Sequence, residues 1–367
     1  MLRRSTFGLI EFRTVSGRVF RTATVILLLS LADAGFSQNV SVTETAWLRR
    51  FGYPVSASVE FRQGEVGAID KVRLLNSDNT EVAAQFTAFS QWNDGSVRKC
   101  EIDFTTGIGP QESQSFRVEP GVGPQNPIPK GIEVRETDDS ILVTSSSMQH
   151  QIRRDGRPLL ASITYGSDEF LGKDGVTTSV KASDAKIIKR GPFNATIELG
   201  DVRLEYVSSK SWVKLTQRSE STDVVSVDGH LNLTSDPLLW DLGMGSWLYG
   251  TLHERQDAVE LRKDSVLWRV VTSKPGRPPL LFATSSQFDG CGHFADRQRV
   301  AAFGIADCSS LDDPQIQLNG DGHIRLSAKC RELTAYFHLV GQPVQVTAVT
   351  SPQSMVTPLH VTVEAAP

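Results

Sequence analysis

The chain has 367 residues, and its 42 acidic residues outnumber 38 Lys and Arg to give a formal net charge of −4. This length accommodates two or three domains with a sizeable core. The small net charge, without a Lys/Arg cluster on a recognisable helical face, argues against nucleic acid as the main partner. No apolar run reaches the roughly 18 residues of a spanning helix, so no membrane association is expected after signal removal.

The N-terminus has the features of an export signal. Five arginines precede the short apolar stretch ATVILLLSL at residues 23–31, and small residues follow it up to Ser37. This order of positive, apolar and small residues is typical of a secretory signal peptide. An anchoring helix is the alternative, but the apolar stretch is too short for one. We therefore predict a signal peptide over residues 1–37 and a secreted or periplasmic protein.

Residues 81–104, EVAAQFTAFSQWNDGSVRKCEIDF, predict a β-hairpin. Asp94-Gly95 is a strong two-residue turn signal, because Gly accepts the positive φ of a type I′ turn. Apolar and β-branched residues flank this pair on both sides without helical spacing. The hairpin is expected to pack Trp92 beside its turn.

This hairpin resembles a motif of the exo-rhamnogalacturonan lyase family. The matching residues are Gln85, Trp92, Asp94, Gly95, Ser96, Val97, Arg98, Asp103 and Phe104. The resemblance covers roughly residues 45–120 and implies a small RIFT-like β-barrel, here residues 38–120, and a carbohydrate-associated role. The family carries an α/α toroid behind its sandwich, and this sequence shows no helical repeat there. No catalytic residue is therefore transferred from the family.

The next stretch, residues 119–131, is dense in Pro and Gly and predicts a linker. Beyond it, residues 131–365 are patterned for strands, and short runs alternate strictly, as VRLEY does at residues 202–206. Six pairs are interpreted as turns: Asp155-Gly156, Asp174-Gly175, Asp228-Gly229, Asp289-Gly290, Asn319-Gly320 and Asp321-Gly322. The sequence thus predicts an all-β protein, a small β-barrel followed by a large antiparallel β-sandwich. The segment GPFNATI at residues 191–197 resembles a strand entry of carbohydrate-enzyme supersandwiches.

Four cysteines in an exported chain permit up to two disulfides. Cys291, Cys308 and Cys330 lie in one section of the sequence. We expect one bridge among these three, with Cys291–Cys308 preferred, and a reduced Cys100. No C-x-x-C and no pair of histidines at ligand spacing is present, so no metal site is predicted. The sequence also shows no cofactor motif.

The candidates for catalysis are His293, Arg297 and His338. His293 lies in the segment CGHFADR, close in sequence to an Asp and to Arg297, and His338 interrupts an apolar strand. A His with nearby Asp and Arg can transfer protons or hold a carboxylate. Structural histidines bonded to the backbone are the alternative, and the pattern favours them.

The segment WDLGMGSWLY, residues 240–249, predicts a saccharide platform. Indole faces stack on the C–H face of a sugar, and the indole N–H serves a hydroxyl. The predicted contacts are Trp240, Trp247 and Tyr249, with Arg297 as the cation for an acidic sugar. The alternative is that one or both Trp side chains pack in the sandwich core.

The sequence therefore leads to an exported carbohydrate-associated protein that binds, or is accessory to, acidic polysaccharide. Its expected partner is a polysaccharide or oligosaccharide. Two alternatives stay open: an active polysaccharide lyase or glycosidase-like enzyme, and a non-catalytic surface or scaffold protein. No feature of the sequence indicates an oligomeric state.

Overall fold

The computed structural model of the chain describes residues 38–126, 131–145, 147–233, 236–244, 246–341 and 352–365. Side chains are described throughout these ranges except at positions 246, 247, 341 and 365. The predicted signal peptide, residues 1–37, lies outside them.

These residues are almost entirely β-structure, which confirms the predicted all-β class. In chain order the strands are β1 (Gln38–Thr43), β2 (Arg50–Glu60), β3 (Val72–Asn76), β4 (Glu81–Val82), β5 (Ala84–Gln91), β6 (Val97–Ile108), β7 (Ser113–Pro120), β8 (Glu133–Glu136), β9 (Ser140–Ser145), β10 (Met148–Arg153), β11 (Leu160–Tyr165), β12 (Asp168–Glu169), β13 (Leu171–Thr178), β14 (Lys186–Arg190), β15 (Asn194–Leu199), β16 (Val202–Val207), β17 (Trp212–Arg218), β18 (Val224–Leu231), β19 (Leu238–Met244), β20 (Ser246–Leu252), β21 (Ala258–Asp264), β22 (Leu267–Ser273), β23 (Leu280–Ser285), β24 (Cys291–Ala295), β25 (Arg299–Ile305), β26 (Asp312–Asn319), β27 (His323–Lys329), β28 (Glu332–Gly341) and β29 (His360–Ala365).

Helical structure within the same ranges is limited to α1 (Gln353–Val356) and two 3₁₀ turns, Ile69–Lys71 and Cys308–Ser310. Among the described residues, no helix has the length and apolarity needed to cross a membrane.

Two large antiparallel sheets form the body of the described chain. The back sheet has the order β23-β22-β21-β26-β27-β18-β13-β11-β10-β9-β8, with β12 paired to β11. The front sheet has the order β14-β15-β16-β17-β28-β25-β24-β19-β20. Two smaller sheets, β29-β1-β7-β3-β4 and β2-β6-β5, are called the small sheet pair below.

The front and back sheets pack face to face around one core, as the predicted sandwich requires. In β16, residues 202, 204 and 206 are buried while those between them are partly exposed. Leu204 of β16 belongs to the same apolar cluster as Val225 and Val227 of β18 in the back sheet. Each fully buried aliphatic side chain of this kind contributes roughly 1.5–3 kcal/mol relative to an exposed one. The alternation of residue types along the strand thus matches the alternation of side chains that face the core and side chains that face solvent.

The small sheet pair has a second core and rests on the outer face of the front sheet. Its apolar cluster combines Val55 and Phe104 with Trp212, Ala302 and Tyr336 of the front sheet. Strand β29, which the sequence analysis counts with the sandwich, pairs in register with β1. The domain boundary in residues 119–131 stays a prediction, because residues 127–130 lie outside the described ranges.

The predicted hairpin forms between β5 and β6. Gly95 has a φ of +83°, and its N–H donates to the carbonyl of Trp92 at 2.9 Å. The Trp92 indole N–H donates to the carbonyl of Phe61 at 3.0 Å, which holds the ring beside the turn. The hairpin and the positive φ of Gly95 are thus confirmed, but the predicted two-residue type I′ turn is wrong. Asp94 does not have a positive φ, and Asn93 and Asp94 are the central residues of the turn that Gly95 closes.

Gln85 of this hairpin joins the small sheet pair to the front sheet. Its Oε1 accepts the backbone N–H groups of Phe193 and Asn194 at 2.9 and 3.0 Å, and its Nε2 donates to the carbonyl of Asn194 at 3.2 Å. A Cβ at position 191 would lie 2.2 Å from Cδ of Gln85, so only Gly191 allows this approach. The two motifs that resemble carbohydrate enzymes therefore contact each other.

Beside Gln85 lies a buried ion network. The Lys189 ammonium is 2.5 Å from Oε1 of Glu101 and 2.9 Å from Oδ2 of Asp103. Asp103 also accepts hydrogen bonds from Ser56 Oγ at 2.6 Å and Asn194 Nδ2 at 3.2 Å. Burial raises the pKa of the Asp103 carboxyl, and the Lys189 charge opposes that shift. The ammonium is thus the buried countercharge of this carboxylate.

The predicted Cys291–Cys308 disulfide is wrong. All four cysteines, which lie within the described ranges, are free thiols. Cys291 packs in the core of the small sheet pair, whereas Cys308 packs in the core between the front and back sheets. The two side chains therefore belong to different cores, although their positions are close in sequence. Cys330, the third candidate, packs at the margin of the sandwich core.

These thiols are expected to be unreactive in the folded protein. Burial raises the pKa of Cys100 and of Cys308 to about 12, and it also raises the pKa of Cys291. Little thiolate then exists near pH 8, and thiolate is the reactive form. We expect Cys330, which is half-buried, to react first with a thiol reagent, and all four to react in denaturant without reductant. A denatured count two thiols short of four, restored by reductant, would show a disulfide.

Candidate functional site

Three of the sequence-predicted site residues, Tyr249, His293 and His338, lie in one row across the outer face of the front sheet. Asp241 of β19 lies opposite Tyr249 of β20 on one side and opposite His293 of β24 on the other. His293 lies opposite Ala302 of β25, which in turn lies opposite His338 of β28. Residues directly opposite one another in a sheet share a face. The fold thus aligns two candidate histidines that are 45 positions apart in the sequence.

An Asp–His pair stands at the centre of this row. Nδ1 of His293 is 2.7 Å from Oδ1 of Asp241, and the backbone N–H of His293 donates to the same oxygen at 3.0 Å. An ionised carboxylate only accepts hydrogen bonds, so it fixes the proton on Nδ1 and the ring orientation. Such pairs position general bases in hydrolases. His293 is only 6% exposed, so little of its surface is accessible to a substrate.

His338 fits the structural alternative. It is 8% exposed, its Nε2 is 2.7 Å from Oγ of Ser211, and its ring meets Trp212 edge-on at 6.3 Å. Burial is the main cause that lowers its pKa to about 4, and the charge of Lys210 adds to it. His338 is therefore neutral near pH 7 and cannot act as a cation for a uronate there.

The three aromatic residues that the sequence analysis predicts to contact sugar lie in different environments. Trp240 is 2% exposed and belongs to the sandwich core, so its contact with sugar is a wrong prediction. Tyr249 is 76% exposed. The backbone of Trp247 pairs with Gly243, but its side chain lies outside the described residues, and its role stays a prediction.

Arg297 is exposed in the turn that joins β24 and β25. The neighbouring Asp296 accepts the backbone N–H groups of Gln298 and Arg299, both at 2.7 Å. Its carboxylate stabilises the turn. Asp241, which is 52 positions away in the sequence, contacts the His293 ring.

A cleft of about 500 Å³ at β13 of the back sheet was missed by the sequence analysis. It is lined by Gly156, Arg157, Pro158, Lys173, Asp174, Thr177, Thr178, Val180, Lys181 and Ala182. The residues come from the β10–β11 connection, from β13 and from the segment after β13. Only the back sheet brings these three stretches together.

A bulge in β13 shapes the cleft. The pairing of β13 with β18 is regular from Val176 onward and shifts between Leu171 and Val176. Asp174-Gly175 lies inside this irregularity, so it is a bulge within a strand and not the predicted turn between strands. Gly175 has a φ of +61°, and a Cβ there would lie 2.2 Å from the carbonyl oxygen of Leu160. The bulge leaves Asp174 exposed.

The cleft concentrates positive charge. Arg157, Lys173 and Lys181 are exposed, and no carboxylate in the described part of the chain lies within ion-pair distance of any of them. On the front sheet, by contrast, Lys214 pairs with Glu205 at 2.8 Å and Arg218 pairs with Glu332 at 3.0 Å. Those front-sheet cations are neutralised by neighbours on adjacent strands. The cleft cations remain available to an anionic ligand.

Asp174, His230 and His323 form a group that could hold a metal ion. Their ligand atoms all lie within 4.8 Å of one another. The three residues come from β13, β18 and β27, which are adjacent in the back sheet but distant in the sequence. No sequence spacing reveals them, because the three residues become neighbours only when β13, β18 and β27 pair.

A comparison of the chain with protein-family models found no match, and a comparison with curated proteins found none either. The resemblance to exo-rhamnogalacturonan lyases thus stays a prediction from the hairpin motif.

Proposed function

We propose that the protein is an exported carbohydrate-associated protein that binds acidic polysaccharide in the cleft at β13. The observation that carries the proposal is the group of three exposed cations, Arg157, Lys173 and Lys181, without acidic partners in the described chain. The predicted signal peptide and the resemblance of the hairpin motif support the same role. The cleft replaces the Trp240 platform as the place of contact.

The chemistry of the cleft suits a uronate polymer. The Arg157 guanidinium can accept a carboxylate in bidentate fashion, and the two lysines offer point charges along the same cleft. Thr177 is exposed on the lining and provides a hydroxyl for sugar hydroxyls. The whole chain carries a net charge of −4, so general attraction to a polyanion is weak. Binding therefore depends on this local group of charges.

We expect retention on polygalacturonate to weaken when the cleft cations are removed. Exposed ion pairs contribute about 0.2–1 kcal/mol each, so each substitution to Ala should weaken binding by up to roughly 5-fold. The combined variant Arg157→Ala, Lys173→Ala and Lys181→Ala should lose most retention. Affinity electrophoresis in gels with polygalacturonate, and in gels with neutral dextran, measures this. Retention should also fall as salt is added.

A matched variant controls for total charge. Lys71→Ala, Lys99→Ala and Lys186→Ala remove three exposed cations that lie elsewhere. This variant should migrate through polygalacturonate gels with near wild-type retention. Equal losses in the two triple variants, or wild-type retention by the cleft variant, would contradict the proposed cleft.

An active lyase is the second candidate, and the Asp241–His293 pair is the observation that favours it. The same polymer incubated with the protein would then yield unsaturated uronate, which is followed by its absorbance. His293→Gln should abolish that signal and leave retention on the gel unchanged. If the protein is retained on the gel but forms no unsaturated product, it binds the polymer without cleaving it.

A further inference from the structure

Two histidines lie directly opposite each other on the outer face of the back sheet. His230 of β18 is paired with His323 of β27. Their rings are stacked, with centroids 4.2 Å apart and an interplanar angle of 12°. Leu231 and Ile324, the next residues on the two strands, are buried in the sandwich core. Strand alternation therefore turns both imidazoles away from the core.

The bulge in β13 brings a carboxylate to this pair. Oδ2 of Asp174 lies 3.4 Å from Nδ1 of His230. A Cβ at position 172 would lie 2.8 Å from the same nitrogen, so Gly172 leaves room for the His230 ring. Nδ1 of His230 is shielded from solvent and has no hydrogen-bond partner among the described residues. A shielded nitrogen without a partner is costly, and a bound cation would remove that cost.

A second carboxylate orients the other histidine. Oδ2 of Asp321 lies 3.0 Å from Nδ1 of His323, and Oδ1 of the same residue accepts the backbone N–H of His323 at 3.2 Å. This contact places a proton on Nδ1 and leaves Nε2 of His323 as the coordinating atom. Metal-binding histidines are commonly held in this way by a carboxylate on their other nitrogen.

We propose that Asp174, His230 and His323 bind one divalent transition-metal ion of the zinc type. Two imidazole nitrogens and one carboxylate oxygen suit Zn²⁺, Co²⁺, Ni²⁺ or Cu²⁺, whereas Ca²⁺ and Mg²⁺ prefer sets of oxygen ligands. Three protein ligands leave a coordination position for water or another ligand. Because Asp174 also lines the cleft, the ion lies at the margin of the cleft. The proposal does not depend on the polysaccharide function.

Calorimetric titration of the chelator-treated full chain with zinc chloride alone tests the site. The wild type should bind one Zn²⁺ per chain. His230→Gln and His323→Gln should each weaken binding at least 10-fold, and Asp321→Asn should weaken it roughly 10- to 100-fold. Adding Ca²⁺ at the same concentration should not displace Zn²⁺. Circular dichroism and thermal midpoints without metal confirm that each variant is folded.

His253→Gln is the matched control, because His253 is also an exposed histidine near an aspartate, with Nδ1 3.6 Å from Oδ1 of Asp236. This variant should bind Zn²⁺ as the wild type does. The proposal is overturned if the wild type shows no saturable binding, or if His253→Gln weakens binding as much as His323→Gln. Displacement of Zn²⁺ by equal Ca²⁺ would overturn the assigned metal class.

Discussion

Replacing Lys189 by Met is expected to lower the free energy of unfolding by about 3–5 kcal/mol at neutral pH. The Lys189 side chain is 1% exposed, and its ammonium is the countercharge for the buried carboxylate of Asp103. Removing it leaves that carboxylate without compensation in a medium of low polarity. Chemical denaturation of the two proteins measures the difference.

A control and a double variant separate this cause from a packing effect. Lys186→Met changes an exposed lysine of the same strand, β14, and should alter stability by less than about 0.5 kcal/mol. Adding Asp103→Asn to Lys189→Met should restore part of the loss, because the uncompensated charge is removed. A loss below about 1 kcal/mol in the single variant would show that the network contributes little.

His150 is expected to make the protein lose stability as the pH falls below 6.5. Burial lowers the pKa of His150 from its usual 6.5 to about 3. Neither ring nitrogen has a hydrogen-bond partner among the described residues, and the ring packs edge-on against Tyr206 at 4.9 Å. The unfolded chain therefore binds a proton below pH 6.5, while the folded chain stays neutral at this position until about pH 3. Unfolding then takes up a proton, and the free energy of unfolding should fall by about 1.4 kcal/mol per pH unit within this window.

The variant His150→Leu should remove this contribution and reduce the slope of the pH dependence between pH 6 and about 4. Denaturation curves at several pH values give the slope for each protein. His253→Gln, an exposed position, should keep the wild-type slope. His338, whose pKa is also lowered, adds a slope of the same sign down to about pH 4 in all three proteins. Equal slopes in His150→Leu and the wild type would show that His150 is not neutral in the folded state.

The two faces of a strand explain why the predicted aromatic contacts differ in exposure. Trp240 and Tyr249 lie in one hairpin of the front sheet, yet the first is in the core and the second is exposed. Alternation shows that neighbouring residues face opposite ways, but it does not show which face meets the core. That choice depends on the back sheet, whose strands come from other parts of the chain. The sequence pattern therefore could not show that Trp240 lies in the core.

Distance in the sequence explains the residues that were missed. His230 and His323 are 93 positions apart and become cross-strand neighbours only because β18 pairs with β27. Cys291 and Cys308 show the reverse, since they are near in sequence but pack in different cores. Gln85 and Gly191 were both recognised within motifs, while their contact depends on how the small sheet pair rests on the front sheet.

The sequence by itself determined the β class, the alternation along strands such as β16 and the hairpin turn at Gly95. These are local properties, because side-chain alternation and a positive φ depend on a few neighbouring residues. Only the tertiary structure decided the order of strands in the sheets, and with it the cleft at β13, the Asp241–His293 pair and the group of Asp174, His230 and His323. Strand order follows from burying apolar faces of the whole chain at once, which no local pattern encodes.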